Sequence, residues 1–600
     1  MTVFKKSTWQ VLSFYICALL FYPLVWPRLS VERLIYWGDL NLFTPALIAL
    51  LCCSLLLFDS KTLFIFFSSR AAKLVAAAFA FILLISFIQL IVCYNEKFNY
   101  LWSSVYWIAV PLFCAVNRRE VEKYLPFFLI FLGLTTVIQS FLELISGLSL
   151  LGIAGNWNWN SSLIAVSVPF VCFAVHKYLH KHYKISLCIV TFFLLTAIVL
   201  MYYCKSKAAI LGLIISCCVL LVLRYWRKFP WIYWFRFGVL LVVFGIVFLY
   251  VFREHVFIYL KNDQRLLLWS AALDLIGQNP WYGSGPEIFE SMYAPYIPIE
   301  YYLGRFVAVR HNHTHNHFLY FAATMGIPAL IAWCSVLFYA VGKNLRQAVG
   351  QGNWELKLYL FVFILLFVHS MLDIVVVSWP LGCIFLIVLG LLLGRALEDS
   401  TRQELKINKF AKPVCRIAAI GLAILLASSL YFNFLGTMHY RNAKLLTNQK
   451  DAKVAFSETE KSIAAMMSPQ NTYLAAMISL YDFKKPQACL RFLDQLNSLG
   501  FENYEHNNLL RAKALVAIGR MPESLLYFAR EQQNFPLSCV NLYYYHIVLN
   551  KLGMKPQANG IDMHLKRLLK MKGLSEKNLP ELLKDPYMDL RFKYLKGDTE

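Results

Sequence analysis

The stretch Val309–Leu330, VRHNHTHNHFLYFAATMGIPAL, sets His311, His313, His315 and His317 among polar residues directly ahead of a long apolar run. That run has the length and composition of a bilayer-crossing helix, for which about 20 apolar residues suffice. The histidines therefore stand at the mouth of a membrane span. Working outward, the same pattern recurs along the chain: 59% of its 600 residues are hydrophobic and only 15% are charged, with a mean hydropathy of +0.56. Soluble globular chains carry roughly 25% charged residues. A polytopic membrane protein is the class that fits.

Counting apolar runs gives about thirteen spans. They begin near residues 10, 41, 74, 98, 124, 161, 185, 207, 234, 317, 358, 379 and 414. The first run, Val11 to Trp26, is as short as a signal-peptide core. No small-residue cleavage site follows it, so it reads as a retained span. The cysteines sit mostly inside apolar runs, where they act as small hydrophobes, and no CxxC pair points to a zinc or redox site.

A net charge of +23 raises the question of a nucleic-acid partner, and its distribution argues against one. With Lys5 and Lys6 inside, the alternate loops carry Lys61, Arg70 and Lys73, then Arg118, Arg119 and Lys123, then Lys177, Lys181 and Lys184. Arg224, Arg227 and Lys228, then Lys343 and Arg346, then Arg395 to Arg416 complete the series. Every loop assigned to the cytoplasm is basic, which is the positive-inside rule, so most of the excess charge sets orientation. The exceptions carry information. Lys205 and Lys207 fall at the outer end of a span, and Arg253, Lys261, Arg265, Arg305 and Arg310 lie in the outer loop that ends at the histidines. Snorkelling accounts for single residues of this kind. A set of them on the outer face calls for an anion, and phosphate is the group that guanidinium and ammonium donors suit best.

From Gly436 onward the long apolar runs stop, and 436–600 is long enough for a domain. Gly519 with Pro522 and Gly553 with Pro556 recur 34 residues apart, with a weaker copy in SLYDFKKPQACLRF. That is the tetratricopeptide period. A helical-repeat domain on the outer side is expected, as a reader of polypeptide or as a scaffold.

An interfacial histidine near neutral pH can take a proton from a hydroxyl. Metal binding by alternating histidines is the rival, although no carboxylate or cysteine stands nearby in sequence to complete a site. Solvated interfacial histidines without chemistry are the plain alternative.

These residues carry a resemblance. HTHNHFLYFAATMGIP resembles the H-x-H-N-x-x-L…G-x-P signature of the O-antigen ligase and polymerase superfamily, bacterial inner-membrane glycosyltransferases. RLLLWSAALDLIGQNPWYGSGPEIF is similar to that family's R…W…A…P…G-x-G-x-x-F segment. CKSKAAILGL is similar to its S-R-x-A-L-L motif, with Lys207 in the arginine position. GNWNWNSSLIAV resembles its G…N-P-N-x-x-A turn, with Asn158 and Asn160 at the asparagines and Trp159 in place of proline. The likeness runs from about Gly155 to Pro380 and is most specific at the histidines.

The resemblance implies an all-α protein: a transmembrane glycosyltransferase core over 1–435 with an outer catalytic loop at 253–316, and a periplasmic repeat domain over 436–600. The implied donor is an undecaprenyl-pyrophosphate-linked glycan. The long tail favours the O-linked protein oligosaccharyltransferases, which glycosylate Ser or Thr of exported proteins such as pilins. A lipid A-core ligase and an O-antigen polymerase come next. The implied roles are His315 as base, with His313 the alternative; Lys207, Arg265 and Arg310 on the donor pyrophosphate; and Asn158, Asn160 and Asn316 orienting donor or acceptor. No metal or other cofactor is expected. His369 and Asp373, four residues apart in a span, are expected to pair with each other or to relay protons. The competing class is a transporter. Against it, polar residues gather at one face, and the span pattern shows no internal repeat.

Overall fold

The computed structural model describes residues 10–15, 48–56, 69–92, 102–150, 152, 156–179, 181–225, 263–285, 289–298, 300–301, 313–349, 353–375, 379–398, 411–448 and 451–571, with isolated positions between 230 and 250. All regular structure among them is helical. The helices of the apolar part are α1 (Arg70–Val92), α2 (Trp102–Val116), α3 (Arg118–Ile145), α4 (Trp157–Leu179), α5 (Tyr183–Cys204) and α6 (Lys207–Tyr225). Two helices, α7 (Gln264–Gln278) and α8 (Phe289–Tyr293), lie in the next loop. They are followed by α9 (His317–Ala348), α10 (Trp354–Leu372), α11 (Trp379–Glu398) and α12 (Ala411–Asn448). The tail adds α13 (Ala452–Ala465), α14 (Pro469–Tyr481), α15 (Pro486–Ser498), α16 (Asn507–Ala517), α17 (Met521–Asn534), α18 (Cys539–Lys551) and α19 (Lys555–Met571).

Eight of these, α1, α3 to α6 and α9 to α11, are long and apolar enough to cross a membrane. They coincide with the expected spans near 74, 124, 161, 185, 207, 317, 358 and 379. The span expected near 98 is the shorter apolar helix α2. The one expected near 414 falls in α12, and those near 10, 41 and 234 lie largely outside the described residues. Eight, not thirteen, is thus the number among the described residues.

Helix α3 shows why the bundle needs lipid. Phe127, Phe131, Leu134, Ile138, Phe141 and Ile145 are exposed at helical spacing on one face, while Thr136, Gln139, Ser140 and Glu143 are buried on the other. Polar groups turn inward and apolar groups outward, the reverse of a helix in water. Close packing comes from small residues. A Cβ on Gly390 or Gly394 of the almost wholly buried α11 would stand 2.4 Å from the Pro111 carbonyl oxygen or 2.7 Å from that of Ala115 on α2. Helices without a hydrophobic force between them associate through such close backbone approach. Gly212 of α6 meets the Leu365 carbonyl of α10 in the same way, at 2.7 Å.

The chain divides into two compact units, one of residues 1–87, 99–256 and 315–430, the other of 88–98, 257–314 and 431–600. In the second, α14 with α15, α16 with α17 and α18 with α19 form helix pairs. Ser468 and Ser538 cap the starts of α14 and α18, and prolines occupy the first turns of α14, α15 and α17. Gly519 and Gly553 take positive φ (82° and 77°) in the turns inside the last two pairs. The 34-residue period therefore marks turns that need the left-handed conformation. In the weaker copy Lys484 adopts it instead (φ 55°). Leu509, Phe528, Leu542, Val548, Leu565 and Leu568 join the last two pairs in one core. The loop segment belongs to this unit too: the Ser291 hydroxyl accepts from the Asn503 N–H at 3.1 Å, and α17 packs on the 3-10 turn Ala294–Tyr296.

Candidate active site

The first unit gathers three chain ends around one carboxylate. Helix α10 stops at Leu372, and Asp373 is its C-cap in extended conformation (φ −155°, ψ 152°). Its side chain leaves the helical face and is 2% exposed. His315 Nδ1 donates to Asp373 Oδ1 at 2.9 Å, and Asn158 Nδ2 donates to Asp373 Oδ2 at 3.2 Å. The Ile374 N–H also donates to Asp373 Oδ1, at 2.8 Å. A buried carboxylate needs such donors. In the neutral ring the bond fixes the tautomer: Nδ1 holds the proton, and Nε2 keeps the lone pair that makes it basic.

The backbone aims the ring. His315 has φ 53°, a left-handed conformation that costs a non-glycine residue roughly 1–2 kcal/mol. The next residue, Asn316, is the N-cap of α9, its side-chain oxygen accepting from Phe318 N–H and Leu319 N–H at 3.0 and 3.1 Å. Asn316 Nδ2 donates to the Met371 carbonyl at 3.0 Å. One side chain thus starts α9 and ties it to the end of α10, so the histidine is held from two sides.

The remaining expected site residues divide. His317 is the first residue of α9 and is buried in an aromatic nest of Trp107, Phe321, Trp333 and Phe385. Its Nε2 accepts from Trp333 Nε1 at 3.0 Å, a packing role rather than a solvated one. Asn160 is fully buried, donating to Ser140 Oγ at 2.8 Å and lying 3.8 Å from Cys204 Sγ. A Cβ on Gly152 (φ 54°) would fall 1.9 Å from its oxygen, so that glycine admits the asparagine. The contact to Cys204, at the end of α5, brings the Cys204–Lys207 turn to the end of the bundle that holds Asn158 and Asp373. Lys205 makes that turn in the left-handed conformation, and exposed Lys207 is the first residue of α6. A lysine at a helix N-terminus adds to the positive end of the dipole, a placement that favours an anion.

In the second unit, Arg265 stands in the first turn of α7, where Asp263 caps the helix by accepting from the Arg265 N–H at 3.0 Å. Trp269 Nε1 donates to the Thr314 carbonyl at 3.0 Å, fixing the backbone beside buried His313. Arg310 and His311 lie outside the described residues.

The expected partnership of His369 with Asp373 is replaced by others. The His369 ring meets Ser162 of α4 through Nδ1, and Asp373 binds His315 and Asn158. The four-residue rule holds only while both residues are helical, and α10 ends one residue before Asp373.

Residues 192–334 match the family described as O-antigen ligase. No curated protein matches the chain. The matched stretch contains Lys207, Arg265, His313, His315 and Asn316; Asn158 and Asp373 lie outside it. The match supports the O-antigen ligase superfamily and a membrane enzyme of the ligase or polymerase type, which uses lipid-linked glycan. Asp373 is the residue that sequence reasoning left out of the site. The signal available was an intramembrane carboxylate, read with the wrong partner.

Proposed function

We propose that this protein transfers a glycan from an undecaprenyl-pyrophosphate carrier to the hydroxyl of Ser or Thr in exported proteins, at the periplasmic face of a bacterial inner membrane. The observation that carries the reading is the His315–Asp373 pair, a base with its orienting carboxylate. His315 Nε2 takes the proton of the acceptor hydroxyl. The oxygen attacks the anomeric carbon, and the bond from that carbon to the lipid pyrophosphate breaks with inversion. The leaving pyrophosphate keeps the electron pair, and Lys207, Arg265 and Arg310 hold its charge. Stabilising charge as it develops is usually the largest catalytic term. Asn158 and Asn316 bear on the base through Asp373 and Met371, which supports a positioning role for both. The helix pairs of the tail support a tetratricopeptide-like reading of that domain, and the acceptor is assigned to it as part of the proposal.

The test is transfer by purified protein from lipid-linked glycan to three acceptors: a serine-containing protein, lipid A-core and free glycan. Transfer to the protein alone is expected. Transfer only to lipid A-core or to glycan moves the protein to the ligase or polymerase branch, and transfer to none removes the reading.

The pair also supplies the carboxylate that the histidine cluster lacks in sequence, so a metal reading meets its own test. Exhaustive chelation is expected to leave the transfer rate unchanged, and metal analysis of the purified protein to find no stoichiometric zinc. Activity lost on chelation and restored by zinc would make His315 a ligand and end its role as base.

A further inference from the structure

Several cations of the tail unit are paired with carboxylates: Arg511 with Asp494 at 2.7 Å, Lys461 with Glu458 at 2.7 Å and Lys566 with Asp562 at 2.8 Å. Lys513 has no such partner among the described residues. It projects from the middle of α16, half-buried. Its Nζ donates to Tyr481 Oη at 3.1 Å, and it lies 4.8 Å from the centre of the Tyr481 ring and 4.2 Å from that of Tyr544. Tyr481 ends α14 and Tyr544 belongs to α18, so three helices meet on one ammonium. Burial, and after it the charge of the exposed Lys484, lowers the Lys513 ammonium to about 8.

A desolvated cation beside a second cation is an unfavourable arrangement that an anion relieves. The Tyr544 ring holds the ammonium by cation–π attraction, and the Tyr481 hydroxyl orients it by accepting its hydrogen bond. The Tyr544 ring is thereby engaged by the ammonium. Helix α16 packs on both α14 and α18, so the cluster lies on a strip that crosses three helix pairs. Such a strip suits an extended chain.

We propose that Tyr481, Lys513 and Tyr544, with Lys484 at the edge, form a binding site for a side-chain carboxylate in an acidic stretch of polypeptide. That the polypeptide is the acceptor of glycan rests on the function proposed above; the carboxylate site itself is read from the cluster. The ammonium donates a charge-assisted hydrogen bond to the carboxylate, and Lys484 adds attraction at longer range.

Binding is measured directly, without turnover, so that it stands apart from the transfer reading. Full-length protein in detergent is titrated against a fluorescent peptide of alternating Asp and Gly, and against its Asn and Gly counterpart, by anisotropy. The Asp peptide is expected to bind at least tenfold more tightly. Lys513→Met, which keeps the apolar stem, removes that preference, and Lys513→Arg retains most of it. Lys484→Ala, at an exposed turn, weakens the Asp peptide severalfold and serves if Lys513→Met fails to fold, as judged by thermal unfolding. Equal binding of the two peptides overturns the site, as does full affinity in a folded Lys513→Met protein. Tighter binding of an oligogalacturonate than of the Asp peptide overturns the polypeptide in favour of an acidic glycan. Acidic-peptide binding without transfer to any protein leaves the site standing and removes the acceptor reading. Transfer to protein acceptors without the Asp preference does the reverse.

Discussion

His315→Ala is expected to lower glycan transfer by about 10³-fold, within the range a positioned general base supplies. The protein is nevertheless expected to remain inserted and folded. The side chain is 17% exposed, so its removal opens no sealed cavity. Asp373 keeps two of its donors, Asn158 and the Ile374 N–H. The cost to stability is on the order of 1–2 kcal/mol for one lost buried hydrogen bond. His315→Asn is the sharper variant. Asparagine tolerates the left-handed backbone at this position and cannot accept a proton near neutral pH. It should be as inactive as alanine while unfolding at a temperature closer to wild type. Single-turnover transfer with saturating donor reads the chemical step. If His315→Ala transfers at the wild-type rate and His313→Ala is inactive, the base is His313. If both transfer normally, the histidine mechanism is wrong.

Asp373→Asn is expected to follow closely, with a loss of about 10²–10⁴-fold in kcat and little change in KM. The asparagine fits the same space. Its oxygen is neutral, however, and its amide can turn an N–H toward the ring and favour the wrong tautomer. The split between kcat and KM separates orientation of the base from binding of substrate. Wild-type turnover in Asp373→Asn would show that the carboxylate is a structural cap of α10 and nothing more. Ser162→Ala supplies the comparison, because it alters a polar contact of α10 without touching Asp373.

The spans were legible because hydropathy and length decide them, and the eight helices fall where apolar runs begin. The turns of the tail were legible because glycine and proline punctuate them. The histidine cluster was legible as a place but not as an arrangement. Neither an extended nor a helical reading describes it, since His315 is left-handed and His317 already begins α9. His317 looks identical to its neighbours in sequence, and only the aromatic nest separates it. Asp373 was visible as an ionisable residue in a span. Its true partner is 58 residues away, and a helix end intervenes where the sequence pattern continues. The link between 257–314 and the tail unit was not legible at all, because it depends on contacts such as Asn503 with Ser291 that carry no periodic signal.

The separation of His315 from Asp373 along the chain bears on how such genes can recombine. A crossover between two homologous genes that falls within α9 or the α9–α10 connection takes the base from one parent and the orienting carboxylate from the other. It also divides Asn316 from the Met371 carbonyl that receives its amide. A crossover downstream of α11 moves both members of the pair, and Asn158 with them, as a block. Functional hybrids should therefore accumulate their breakpoints after residue 398 and be depleted of them between 316 and 373. Shuffled libraries gain most when the segment from Asn158 to Asp373 is exchanged whole.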